Sequence, residues 1–168
     1  YTGTSNYRYI LVAALGASLA ASLLFVRNLQ VRAAAPMPIA SLESLYGRRQ
    51  FLPYLQAGAV DVAIIDILWN GCYEAMKMAS LCEAFSVNVA AHNFGAHLGT
   101  AISAHCLATV PNFRVLEYQP EDVPWRDELF TSVPKIVDGE LDVAALGARP
   151  GWGIDVDEEG VARHPSRR

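Results

Sequence analysis

No glycine-rich phosphate fingerprint follows any apolar run of this chain, so a dinucleotide-binding sheet has no support. Cysteine is scarce and odd in number. Cys72, Cys82 and Cys106 show no Cys-x-x-Cys spacing, which argues against a zinc or redox motif and leaves buried free thiols of a reducing cytosol as the expectation. There is no basic stripe either. With 13 Lys and Arg against 17 Asp and Glu, the net charge is −4, and nucleic acid is excluded as the natural partner. His97 and His105 share a helical stretch with Cys106 but match no metal spacing, so packing is expected of them, and His164 lies in a polar tail. What is present is an ordinary globular content, 52% hydrophobic and 18% charged. Eleven of the 17 acidic residues follow position 120, against six of the 13 basic ones, as a solvated surface would have it.

Three apolar runs rich in β-branched or aromatic residues, VDVAIIDI (60–67), SVNVAAHN (86–93) and FRVLEYQ (113–119), read as buried strands. Between the first two, Ala75, Met76, Ala79, Leu81, Cys82 and Phe85 recur at roughly helical spacing, which predicts a helix over 71–85. Between the second and third, HLGTAISAHCLATV predicts another, ended by Pro111. Upstream, PMPIASLES reads as a short strand ending near Glu43, followed by a helix GRRQFLPYLQAG that Gly58 stops. Repeated strand and helix units with short loops imply right-handed crossovers and a parallel sheet covered by helices. Each strand ends on a polar residue, Glu43, Asp66, His92 and Glu117, and barrel enzymes build their sites at that end. The expected fold class is therefore α/β, with parallel strands and helices outside.

A complete (β/α)8 barrel takes about 250 residues, and this chain has 168. Residues 36–119 would supply half of a barrel, followed by an irregular tail over 120–168. A half-barrel leaves two strands unpaired. Together with a first residue Tyr1, this predicts a fragment, or a product that joins another copy or another chain. Residues 1–35 differ in character. ILVAALGASLAASLLFV (10–26) carries no charge and is flanked by Arg8, Arg27 and Arg32, which allows a membrane anchor, a signal peptide, a buried helix or artefactual sequence.

Asp66 and His92 fall at equivalent heights on neighbouring predicted strands. The carboxylate can then hold one imidazole nitrogen, fixing the tautomer and stabilising the charged ring, while the other nitrogen faces the mouth as a general base. Glu43 is a candidate ligand for a hard cation such as magnesium, and Glu117 can hydrogen-bond a substrate carboxylate or enolate oxygen.

At these residues the chain resembles the mandelate racemase and muconate lactonizing enzyme branch of the enolase superfamily. The likeness runs through VRAAAPMPIASLESLYGRR, VDVAIIDILWNG, VNVAAHNFGAHLGT, VPNFRVLEYQPEDVPWRDEL and PGWGIDVDEEGVARHP. The resemblance implies the C-terminal half of an enolase-superfamily barrel with a magnesium site, acting by abstraction of the proton α to a carboxylate. By the same resemblance Glu43 matches a third metal ligand, Asp66 and His92 the base dyad, and Glu117 the group that stabilises the enolate. The matching subgroup resembles acid-sugar dehydratases such as galactonate dehydratase, which implies a small sugar-acid substrate, a homo-oligomer and a cytoplasmic location. A racemase would need a second base on an earlier strand. Trp125 and Trp152 are expected to anchor a tail that packs toward a capping domain.

The chain also departs from the family. Two further carboxylate ligands and a lysine motif on earlier strands are missing, and SLES stands where Thr-Gly-Glu-Ser is usual, with Leu42 in place of glycine. One carboxylate binds magnesium poorly, because the ion demands several oxygen ligands in octahedral array. The chain alone is expected to be weakly active or inactive, and the alternative is a non-catalytic fragment, membrane-associated through 10–26.

Overall fold

The computed structural model describes residues 23, 25–120 and 123–165. Four strands, β1 (Ala40–Ser41), β2 (Val62–Asp66), β3 (Asn88–His92) and β4 (Phe113–Leu116), form one parallel sheet in chain order. Helix α1 (25–34) precedes β1, and α2 (Gly47–Gln56) joins β1 to β2. The short α3 (Ile67–Asn70) and α4 (Cys72–Ala84) follow β2, and α5 (Ala96–Leu107) follows β3. Gly58 ends α2 as the sequence predicts, at φ +60°, where a side chain would be strained.

The strands are shorter than the apolar runs, for a local reason. Asp66 accepts the Trp69 N–H at 2.7 Å and so starts α3, which takes Ile67 out of the strand. Strand alternation then sorts the side chains. Ala63, Ile65, Val89 and Ala91 join Phe51, Met78, Cys82 and Leu107 in the main core beneath the helices. Ile64, Asp66, Ala90 and His92 alternate to the opposite face. Complete burial of Phe51, Ile65 and Met78 stabilises the layer by about 1.5–3 kcal/mol each. Among the described residues β1 and β4 each pair on one side only.

The described part of the N-terminal segment is the helix α1. Phe25 meets the Tyr54 ring edge-on at 5.1 Å, and Arg32 pairs with Asp61 at 2.6 Å. The Ile39 N–H and the Arg32 guanidinium together hold the Asp61 carboxyl below its usual range. Most of the 10–26 apolar stretch lies outside the described residues. Among the described residues no helix is long and apolar enough to cross a membrane. Burial pushes the Cys82 and Cys106 thiols up to about 12, and all three cysteines are free.

The tail is more regular than expected. It carries a 3-10 turn (Arg126–Leu129), a hairpin of β5 (Ile136–Val137) and β6 (Glu140–Leu141), and two short helices, α6 (Val143–Gly147) and α7 (Glu158–Arg163). Local side-chain chemistry explains this. Asp142 caps α6, Asp157 caps α7, and Asp138-Gly139 takes positive φ at both turn positions of the hairpin. Leu146 and Ile154 pack on Ala101 and Ala104 of α5. The fully buried His97 places Nε2 at 2.6 Å from Asp127 Oδ1, and the Arg126 guanidinium donates to the Gln119 carbonyl and the Tyr118 hydroxyl. Trp125 stacks on His164 at 4.4 Å, and Trp152 lies against His105 at 5.9 Å.

Met78→Ala is expected to lower the unfolding free energy by about 2–5 kcal/mol in urea titration; a change under about 0.5 kcal/mol would place Met78 at a surface instead. The His97 hydrogen bond holds the Asp127 carboxyl below its usual range. A folded value below the unfolded one of about 3.9 means that this stabilisation is full above the unfolded value and is lost as pH falls through the folded one. Urea midpoints followed downward from about pH 5 should fall less steeply in Asp127→Asn than in the parent chain; identical acid limbs would show that the pair does not dock the tail.

Candidate active site

Asp66 and His92 are register partners on β2 and β3. Their side chains meet, with His92 Nδ1 at 2.7 Å from Asp66 Oδ2, and both are largely buried. The other Asp66 oxygen, Oδ1, accepts the Trp69 N–H, and the Asp66 carbonyl accepts from Asn70 Nδ2 at 2.8 Å. With both carboxylate oxygens acting as acceptors, Nδ1 carries the imidazole proton, and Nε2 is left with the lone pair of a base.

His92 lines a cavity of about 540 Å³ together with Glu43 and Glu117. The structure thus brings three of the four predicted residues to one mouth, with Asp66 hydrogen-bonded to His92. Glu117 directly follows β4, and its N–H donates to the Ala91 carbonyl at 3.1 Å. Glu43 follows β1 after Leu42, a buried residue held at φ +96°.

Three neighbours escaped the sequence reading. Asn93 is buried; its Nδ2 donates to Thr100 Oγ1 at 2.8 Å and to the Glu117 carbonyl at 3.1 Å, and its Oδ1 accepts the Gly95 N–H. It ties the strand of the candidate base to that of the candidate acid. A Cβ at Gly99 would lie 2.7 Å from Asn93 Oδ1, and one at Gly95 would lie 2.2 Å from Leu68 Cδ1, so a side chain at either position would displace these neighbours. Trp69 and Phe94 flank His92, with ring centroids 6.2 and 4.9 Å from the imidazole. The position of Asn93 immediately after His92 was the available signal for the first. Nothing distinguished Trp69 or Phe94 from core residues. Among the described residues no three His, Cys, Asp or Glu side chains gather as a metal cluster.

Residues 21–160 match the family described as enolase C-terminal domain-like. D-xylonate dehydratase of Haloferax volcanii is 30% identical over 128 residues, covering 76% of this chain and 30% of that protein. D-gluconate/D-galactonate dehydratase of Picrophilus torridus is 31% identical, over 73% of this chain and 31% of that protein. This chain therefore spans just under a third of the length of these curated relatives. Among solved structures, a Burkholderia xenovorans protein bound to magnesium and fumarate, provisionally described as an L-alanine-DL-glutamate epimerase, is 46% identical with a TM-score of 0.76. That match covers 82% of this chain and 34% of the other.

Asp66→Asn tests the dyad without removing the helix cap, since Asn caps as well as Asp. The Trp69 N–H needs the amide oxygen, so the NH₂ group must face His92 Nδ1 and turn it into an acceptor. Imidazole ¹⁵N spectra are expected to show Nδ1–H in the parent chain and Nε2–H in the variant; an unchanged tautomer would mean that Asp66 does not set it.

Proposed function

The chain belongs to the mandelate racemase and muconate lactonizing enzyme branch of the enolase superfamily, as the C-terminal part of its barrel, and we propose that it takes part in abstraction of the proton α to a carboxylate. The observation that carries this reading is the Asp66–His92 hydrogen bond beside a cavity shared with Glu43 and Glu117. His92 Nε2 removes the α-proton, and Asp66 holds the tautomer and balances the imidazolium that forms. Glu117, on the wall of the same cavity, is the candidate group to stabilise the enolate oxygen.

The two sugar-acid dehydratase relatives favour dehydration of an acid sugar. In that reaction loss of the α-proton is followed by departure of the β-hydroxyl, and His92 is a candidate proton donor to it. Substrate is then a small polyhydroxy carboxylate, and a homo-oligomer and a cytoplasmic setting go with the family reading. Magnesium, held by the Burkholderia protein, would have Glu43 as its candidate ligand here and would stabilise enolate charge. The described residues do not fit a complete magnesium site, since Glu43 stands without a three-membered cluster around it. The same observation favours a second reading, a non-catalytic chain.

Proton NMR of D-galactonate in D₂O with magnesium chloride should show slow α-proton exchange with the parent chain and none with His92→Asn. Exchange that persists in the variant would remove His92 as the base, and absence of exchange in the parent chain would favour the non-catalytic reading.

A further inference from the structure

Two of the three free cysteines meet where α4 packs on α5. Cys72 opens α4, and Cys106 lies in the last turn of α5. Because they belong to different helices, no Cys-x-x-Cys spacing announces the pair, yet the Cys72 thiol lies within hydrogen-bonding reach of the Cys106 thiol. Contacts further along the same seam fix this pairing. One turn on from Cys72, Met76 Sδ lies 3.9 Å from the Thr109 hydroxyl, which also donates to the Cys106 carbonyl at 2.9 Å. Beyond that, Asn112 Nδ2 donates to the Ala79 carbonyl at 3.2 Å. Residues 72, 76 and 79 share one face of α4, and the end of α5 with the turn after it runs along that face. Cys82 is about 15 Å further along the α4 axis, too far to bridge Cys72. The two thiols of the pair differ in access, since Cys72 is half-buried and Cys106 is buried. Burial, with the Cys72 thiol beside it, pushes Cys106 up to about 12, so Cys106 does not begin an exchange with a reagent in solution.

We infer that Cys72 and Cys106 form a thiol–disulfide exchange site, which a small disulfide such as oxidised glutathione closes into a reversible bond between α4 and α5. The Cys72 thiolate attacks one sulfur of the small disulfide, whose S–S bond breaks and releases one glutathione thiolate. Cys72 then carries glutathione as a mixed disulfide. The Cys106 sulfur, already beside it, attacks the Cys72 sulfur and releases the second glutathione. Two protein thiols are oxidised, one glutathione disulfide is reduced to two glutathione molecules, and the two cysteine protons end on those products. Excess reduced glutathione runs the same steps backwards, the transient behaviour usual for a disulfide in a reducing compartment. The bond closes a loop that contains β3 and His92, so it restricts the unfolded chain and stabilises the folded one where the thiols already meet.

The test treats the folded 168-residue chain with oxidised glutathione, quenches with acid, and alkylates the remaining thiols in denaturant before mass spectrometry. The parent chain is expected to lose two hydrogens, retain no glutathione and take alkylation at Cys82 alone, and non-reducing peptide mapping should link Cys72 to Cys106. Cys106→Ala should stop at a glutathione adduct on Cys72, Cys72→Ser should take up nothing, and Cys82→Ala should form the same link as the parent. Melting followed by circular dichroism should rise by about 5 °C or more in the oxidised parent and return on reduction. An unreacted parent chain overturns the proposal, as does a glutathione adduct that persists on its Cys72, a link that includes Cys82, or a bond between two chains. A lower melting temperature after oxidation overturns it too, since the fold would then have to distort to bring the sulfurs together. The parent chain decides the matter by itself, whether or not each variant folds.

Discussion

The Asp66 carboxylate accepts two N–H groups at once, and the arrangement of the mouth depends on that pair of hydrogen bonds. Oδ1 takes the Trp69 amide and ends β2 by starting α3; Oδ2 takes Nδ1 of His92. One side chain therefore sets where the strand stops, how Leu68 and Trp69 project, and which imidazole nitrogen is free. A capping Asp needs only the first of these bonds. The second requires the register that sets Asp66 opposite His92, which the parallel pairing of β2 and β3 supplies. Fold and candidate chemistry are thus linked at a single residue.

Around that residue the loops are locked by close packing. Leu68 presses on Gly95 and Gly99, and Asn93 spends its amide on Thr100 and on the Glu117 carbonyl. These contacts hold the ends of β2, β3 and β4 at fixed separations. The tail adds a further brace, because Arg126 holds the chain just beyond Glu117 through Tyr118 and Gln119.

The order of strands and helices was legible because buried parallel strands read as apolar runs and α4 and α5 have helical spacing. Their ends were less so. The run to Ile67 gave no sign that Asp66 would turn the chain, since a capping carboxylate and a strand-end catalytic carboxylate look alike in sequence. Asp66, His92, Glu43 and Glu117 were picked out as candidates because polar residues are rare at the ends of such runs, and the structure places three of them on one cavity with Asp66 hydrogen-bonded to His92. Phe94 and Trp69 were not, since an exposed ring beside an imidazole differs from a core ring only in three dimensions. The tail was read as irregular although its Asp142 and Asp157 caps and its Asp138-Gly139 turn were visible, because elements of two to six residues carry no measurable periodicity.

Leu42 shows how the candidate metal ligand keeps its place despite a departure from the family pattern. Its φ of +96° is a conformation that glycine adopts freely and that costs an L-residue about 1–3 kcal/mol. Glycine is the usual residue here in the family. The Leu42 side chain is 3% exposed and packs in the core with Phe51 and Ile65, and burial of a leucine stabilises by about 1.5–3 kcal/mol. The two terms are of the same size, so the backbone can retain the turn that glycine would allow while gaining core contacts. Glu43, the next residue, consequently still reaches the cavity shared with His92 and Glu117. Leu42 thus leaves Glu43 a place on the cavity wall, and among the described residues no three-membered cluster of His, Cys, Asp or Glu forms around it.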